Sequence, residues 1–293
     1  NNVGDEQINL VLNALAGKLT YADYSNNPDN LDATVKIAGG LTADAVTVKA
    51  GSIVFADSGK GGYTNKVSEF KTTLTGDAEA DAEYKVAGVL QEDGSYKFTQ
   101  DSKIAVVASG AKAIDLQKST IIDAANNNLT LSVTKATNYA DVKAINITAP
   151  GEYQITADKI VIDANASDNT RVEGISASTY DVSSKINLTV NGDVDITTTN
   201  KNNYNLGIYA MGNTKVDVNG NVNVNLNSTA TNYYETSGIY AGGSLNWSNK
   251  DNNRGSEVNI NGDVNVSGNG NGVLASYAGS VANLNGNTTI VAT

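Results

Sequence analysis

The chain has 293 residues, among them 40 Asn, 28 Gly, 2 Pro, no Cys and no His, and its formal net charge is −11. Without His or Cys it cannot run Ser-His-Asp or Cys-His catalysis, build a His- or Cys-based metal site, or form a disulfide. The acidic balance, with Arg171 and Arg254 as the only arginines, argues against nucleic acid as a partner, while a hydrophobic content of 40% suffices for a buried core.

The first periodic segment is helical. Ile8, Leu12, Leu15 and Leu19 recur at spacings of 4, 3 and 4, one face of a short N-terminal helix, and Asp5 is placed to cap it. The period then drops to 2. Val35/Ile37, Val46/Val48 and Ile53/Phe55 predict short strands. Residues 57–82 are rich in Gly and acids. Their Gly59-Lys-Gly-Gly62 is no phosphate loop, because it lacks the strand–loop–helix setting and the Lys-Ser/Thr ending. Between Tyr84 and Phe98, two apolar runs flank Asp93-Gly94 and predict a β-hairpin. We place residues 57–100 outside the main coil, as an insertion carrying that hairpin.

Short strands resume at Ile104/Val106, Leu129/Leu131/Val133, Ile145/Ile147 and Ile160/Ile162. From residue 174 to 293 they become a regular repeat. Asn-Gly steps fall at 191–192, 219–220, 261–262 and 285–286, each between period-2 runs such as Val216-Asp-Val-Asn-Gly-Asn-Val-Asn-Val224. A second motif interleaves: Gly174-Ile-Ser-Ala177, Gly207-Ile-Tyr-Ala210, Gly238-Ile-Tyr-Ala241 and Gly272-Val-Leu-Ala275. Its copies are 31 to 34 residues apart, a repeat-architecture period.

Asn-Gly either closes a hairpin or marks a corner where a coil turns and continues. We favour the corner, because about three short strands fit in one repeat and like residues recur on like faces. The expected fold is all-β: a right-handed parallel β-helix (solenoid) spanning 1–293 as one unit, with the short N-terminal helix and the extra-helical hairpin. Coils would stack about 4.8 Å apart. Val194, Val222 and Val264 should then form one inward ladder, and Ile196, Val224 and Val266 another. Asn suits the corners because it tolerates left-handed backbone and can stack its amides.

Loops are expected at 200–204, 231–235 and 248–255. In the second motif, Tyr209 and Tyr240 occupy the slot that alternates outward, and Tyr204, Tyr233, Tyr234 and Trp247 lie close in sequence. Tyr209, Tyr233, Tyr234, Tyr240, Trp247 and Arg254 are the candidate binding residues. They form either a platform for sugar or protein or rings that merely clad the coil. The Asn-Gly-Asp corners at 191–193 and 261–263 do not make a Ca²⁺ β-roll, which needs tandem Gly-Gly-x-Gly-x-Asp. The copy between them carries Asn221 in place of the acid. No metal and no cofactor is expected.

The Asn-Gly-Asp/Asn-Val-Asn-Val repeats and Gly-Ile-Tyr-Ala steps resemble the passenger region of monomeric autotransporters, the type V secretion class of Gram-negative bacteria. So do Leu12-Asn-Ala-Leu-Ala-Gly-Lys-Leu-Thr-Tyr21 and Val35-Lys-Ile-Ala-Gly-Gly-Leu-Thr-Ala43. Filamentous-haemagglutinin-type exoproteins share the same repeat physics. The resemblance implies a cell-surface adhesin, held at the outer membrane by a β-barrel not found in this sequence, or released outside the cell. Its roles would be attachment, aggregation and biofilm formation. The implied partners are a host surface protein or glycan, or an identical passenger on a neighbouring cell, with weak homo-association. Nucleic acid and direct membrane insertion of this segment are not implied. With no signal peptide, no initiator Met and a strand-like run at Thr288–Ala292, we read the chain as a piece of a longer protein.

Serine-protease passengers need a His base and are excluded. The alternative is a β-helical polysaccharide-acting enzyme or carbohydrate-binding module. Such an enzyme needs clustered Asp with Arg or Lys in a groove, and no Asp-Asp pair occurs on a predicted strand. The leading expectation is a non-enzymatic adhesin.

Overall fold

A computed structural model describes residues 34–38, 46–49, 52–54, 67–73, 81–85, 88–90, 95–98, 101–107, 111–135, 141–166, 170–179, 183–201, 204–228, 236–243, 254–277 and 279–292. Seven strands come first: β1 (Thr34–Ala38), β2 (Val46–Lys49), β3 (Ser52–Val54), β4 (Val67–Thr73), β5 (Asp81–Lys85), β6 (Gly88–Leu90) and β7 (Tyr96–Phe98). The coil proper continues with β8 (Ser102–Val107), β9 (Lys112–Leu116), β10 (Thr120–Thr134), β11 (Val142–Ile147), β12 (Gly151–Asn165), β13 (Val172–Thr179), β14 (Ile186–Asn200) and β15 (Asn205–Gly212). It ends with β16 (Thr214–Asn219), β17 (Val222–Ser228), β18 (Ser237–Gly242), β19 (Glu257–Ile260), β20 (Val264–Gly268), β21 (Asn271–Ser276), β22 (Val281–Leu284) and β23 (Thr288–Ala292). No helix occurs among the described residues, nor any helix long and apolar enough to cross a membrane. The expected helix over 8–19 lies outside the described residues.

From β7 onward the chain is a parallel β-solenoid with three faces. A 6-stranded sheet runs β9-β11-β13-β15-β18-β21, every pair parallel. A 14-stranded sheet supplies the other two faces, because β10, β12 and β14 run unbroken around a corner. One of its faces carries β16, β19 and β22, the other β17, β20 and β23.

Alternation places one apolar set inside at each level. On one face Ile104, Leu131, Ile162, Ile196, Val224, Val266 and Ile290 stand in register. Beside them run Leu129, Ile160, Val194, Val222 and Val264, all fully buried. The 6-stranded sheet faces them with Ile114, Ile145, Ile175, Ile208, Ile239 and Val273. The valine ladders expected from the repeat are therefore present, with parallel pairing on both sides of each Asn-Gly step.

Close approach explains the glycines. A Cβ on Gly207 would sit 2.4 Å from Gly238 O and 2.6 Å from Val224 Cγ1, so the interior has no room for one. At the corner, a Cβ on Gly220 would lie 2.1 Å from Gly192 O in the coil below. The corner Asn residues of the four Asn-Gly steps do not adopt positive φ. The non-glycine residues that do, among those described, are Asn126 and Tyr277. Asn serves these corners through its amide, not through left-handed backbone.

The N-terminal half departs from expectation. β1, β2 and β3 exist near their expected places, yet they pair antiparallel with β4 or β5 and form no solenoid coils. β5 in turn pairs antiparallel with β8. The hairpin is also present, with β6 opposite β7, but it does not stand outside the coil. β7 joins the solenoid in parallel beside β10, and Tyr96 and Phe98 are buried in the core. The reason is apolar burial: these rings fill the end of a bore that small aliphatic residues fill elsewhere.

Val222→Asp would bury an unpaired carboxylate in the ladder, at a cost of several kcal/mol. We expect a melting midpoint lowered by ten degrees or more, on the order of that cost for a chain of this size, with amide exchange accelerated in β14 and β20 as well as β17. An unchanged melt refutes the inward placement.

Candidate functional site

Outside the bore, the two faces of the large sheet carry ordered polar rows. Asn219 Nδ2 donates to Asn191 Oδ1 at 2.8 Å, Asn261 to Asn219 at 2.7 Å and Asn285 to Asn261 at 2.7 Å. A second row runs Asn223 to Asp195 at 2.8 Å and Asn265 to Asn223 at 2.9 Å. A third runs Asn259 to Asp217 at 2.6 Å and Asn283 to Asn259 at 2.7 Å. In a fourth, backbone N–H groups of Asn221, Asp263 and Asn287 donate to the side chain one coil below. Exposed side chains that would otherwise be loose are fixed in place.

Two ion pairs stand on the same surface. Lys159 Nζ contacts Asp195, and Lys215 Nζ lies 2.9 Å from Asp217 Oδ2. Partial burial pushes the Asp195 carboxyl up, but hydrogen bonds from Lys159 and Asn223 and the Lys159 charge outweigh it and hold it below the usual range. Lys159 is raised, first by its hydrogen bond to Asp195 and then by that charge. Lys215 is raised by the same kind of bond to Asp217.

The outer side of the 6-stranded sheet is different, being largely buried. Between the inward Ile208 and Ala210, Tyr209 points away from the bore, yet it is 4% exposed. Tyr240 stacks on it with ring centroids 5.2 Å apart, and Arg171 caps its other environment with its guanidinium carbon 4.2 Å from the ring centre. Arg171 Nε lies 2.6 Å from Glu173 Oε1, and Lys143 Nζ 3.3 Å from Glu173 Oε2. Glu173 itself is fully buried. The cluster is a carboxylate clamped by two cations, one of which also covers an aromatic face. Next to Tyr209 in the same row, Ser176 Oγ is buried with no hydrogen-bond partner.

Of the expected binding residues, the structure brings Tyr209 and Tyr240 together. Arg254 is exposed, with its carbonyl near Gly243 just beyond β18. Tyr233, Tyr234 and Trp247 lie outside the described residues. Sequence reasoning passed over Glu173 and Lys143. The signal was there in register: Lys143 and Glu173 hold equivalent places in neighbouring coils.

An open groove of about 370 Å³ lies near the start of the solenoid, lined by Ser95, Ser119, Thr120, Glu152, Gln154 and Thr189 among others. Tyr153 borders it with its hydroxyl donating to Ala149 O at 2.7 Å, and burial pushes that phenol up to about 12. It stays neutral at physiological pH. Among the described residues of the lining, Glu152 is the one carboxylate, and it is engaged by Asn187 Nδ2 at 2.6 Å. The groove offers hydrogen-bonding groups suited to a polar ligand. Among the described residues, no group of three or more Asp or Glu is placed to hold a metal ion. The chain matches no family model, no curated protein and no solved structure.

Glu173→Gln should cost about 2–4 kcal/mol, less than a fully buried pair because both cations keep partial exposure. Urea denaturation checks this, with a shift in midpoint at constant slope expected. A second expectation concerns pH. Because Asp195 is depressed, its contribution is present above the ordinary carboxylate pKa and is lost as pH falls through its lowered folded value. The raised Lys159 contributes until pH rises through its own folded value. The stability gap between the native chain and Asp195→Asn should therefore be open at neutral pH and close as pH falls below the ordinary carboxylate range, through the lowered folded value. A gap that widens on acidification refutes the assignment.

Proposed function

We propose that this chain is a passenger segment of a bacterial surface adhesin, non-enzymatic, of the autotransporter kind, acting outside the outer membrane. The observation that carries this reading is the set of exposed Asn and Asp rows, hydrogen-bonded coil to coil along two flat faces. Fixing a mobile side chain on binding costs roughly 0.5–1.5 kcal/mol. Here the neighbours have already fixed them. Rows repeated about every 4.8 Å allow many weak polar contacts to act together, so cells carrying many copies gain avidity without a deep pocket. Partners with repeated hydrogen-bonding groups suit such a surface: a glycan, an extended host protein, or the same face on a neighbouring cell.

The groove at Glu152 and Gln154 supports the second reading, a carbohydrate-binding module. It would serve as one polar subsite rather than a long flat face.

The chain displayed on a non-adherent cell tests both. With a net charge of −11, like copies repel at long range, so homotypic aggregation should strengthen with salt over the range where the Debye length shrinks to about 3 Å. Asn223→Ala with Asn265→Ala should slow aggregation several-fold while the fold is kept. Soluble-glycan binding abolished by Glu152→Ala, without aggregation, favours the module. The absence of both aggregation and binding to glycans or matrix proteins overturns the adhesin reading, and release of sugar from a polysaccharide replaces it with the enzyme.

A further inference from the structure

The groove beside β10 and β12 arises from a step in the large sheet. β7 lies beside β10 only at Ile122 and Asp123, so Ile121 has no paired residue on that side. Its side chain is 44% exposed. In the outward row Ile121, Gln154, Thr189, Asp217, Asn259 and Asn283 it is the one apolar member. Gln154 stands one strand on from it, about 4.8 Å away. Glu152 precedes Gln154 by two residues on the same exposed side of β12, about 6.6 Å along the strand. An apolar ledge, an amide and a carboxylate thus form a triangle on one open surface.

The groove has spent most of its donors inside the protein. The Tyr153 hydroxyl donates to Ala149 O, and the Thr120 hydroxyl to Lys118 O. Gln154 Nε2 donates to Thr156 Oγ1 at 3.2 Å, which leaves its Oε1 as an acceptor. Asn187 Nδ2 occupies Glu152 Oε1 and leaves Oε2. Among the described residues, no donor reaches Gln154 Oε1 or Glu152 Oε2, and no Lys or Arg lines the groove. Lys215, the cation in the Glu152 row, stands beyond Asn187 and is paired with Asp217.

We propose that this groove binds an arginine side chain of an extended partner segment. A guanidinium brings donors and no acceptor, which is what the two unmet oxygens require. Its methylenes lie on Ile121, as the stems of long cationic side chains do on apolar surface. Its planar fork reaches Glu152 Oε2 and Gln154 Oε1 together, the first through a charge-assisted bond. A lysine carries the charge without the fork and matches the pair less well. A sugar hydroxyl accepts as well as donates, and the Ser119 and Thr189 hydroxyls are the donors the lining keeps for it. The net charge of −11 draws a cation toward the chain. The proposal stands without the adhesin reading. Its contact weakens with salt, whereas homotypic aggregation through the amide faces strengthens, so the two fail separately.

The probe is the peptide acetyl-Gly-Thr-Arg-Thr-Gly-amide, titrated into the isotope-labelled full chain and followed by amide chemical shifts. It should give saturable shifts confined to Ile121, Glu152, Gln154 and their neighbours, and bind more weakly as salt is added. The same peptide with citrulline for arginine keeps the shape and loses the charge. It should bind roughly ten-fold more weakly, the loss of about one charge-assisted bond. Glu152→Gln in the protein, at an exposed site where the amide oxygen still serves Asn187, should weaken the arginine peptide to the same degree and leave the rest of the spectrum unchanged. Ile121→Ser should weaken it as well. Equal binding of the citrulline peptide overturns the proposal, as does unchanged affinity of the Glu152→Gln protein. Shifts spread over exposed acids elsewhere, such as Asp163 and Asp263, reduce the effect to non-specific charge attraction and also overturn it. Cellotetraose shifting the same amides where the arginine peptide does not assigns the groove to a sugar and overturns it too.

Discussion

Each residue of this solenoid meets its own equivalent one coil above and one coil below, about 4.8 Å away. A row survives only if it tolerates its own repetition. Aliphatic rows do, since Val on Val packs without strain and buries both. Amide rows do, since Asn can donate to the Asn below and accept from the one above. Carboxylate rows do not, because like charges directly opposite each other destabilise a sheet. The acids obey this rule. Asp193 is followed by Asn221, then Asp263, then Asn287. Asp195 is followed by Asn223 and Asn265, and Asp217 by Asn259 and Asn283. The alternation lets the chain carry a net charge of −11 without placing two carboxylates in adjacent slots of these rows. It also accounts for Asn221, which looks like a lost ligand if the corner is read as a metal site.

The same constraint governs the corners and the ends. A corner stacked on a corner leaves no space above the carbonyl beneath it, so glycine is demanded by proximity at Gly220, Gly262 and Gly286 rather than by backbone handedness. An end lacks one neighbour and must be managed. At the start, antiparallel strands cover the edge and Tyr96 and Phe98 close the bore, the usual way of protecting a sheet from unwanted pairing.

The three faces are thereby given different work. The 6-stranded sheet is largely buried on both sides at β13, β15 and β18, and the Lys143–Glu173–Arg171–Tyr209 cluster spends its charges internally. The large sheet keeps its amide rows in solvent. For the adhesin reading the two surfaces differ in access: the Tyr209 ring is 4% exposed, whereas the oriented amides stand in solvent along their rows.

The sequence by itself determined the solenoid. Period-2 runs, the Asn-Gly corners and the recurring Gly-Ile-Tyr-Ala steps are one-dimensional marks of a structure whose contacts are with the next repeat, so Val194, Val222 and Val264 could be stacked on paper. It also pointed to the corner amides. Tertiary structure decided whatever depends on partners outside that repeat. β1 to β3 alternate like solenoid strands, and nothing local distinguishes a parallel from an antiparallel neighbour. The hairpin's second strand entered the coil because Ile122 and the end of the bore were there to receive Tyr96. Tyr209 alternates outward as its position requires, but its burial depends on Arg171, drawn in by the charge of Glu173. Alternation fixes which side a residue faces; what waits on that side is set by chain that folds back from elsewhere.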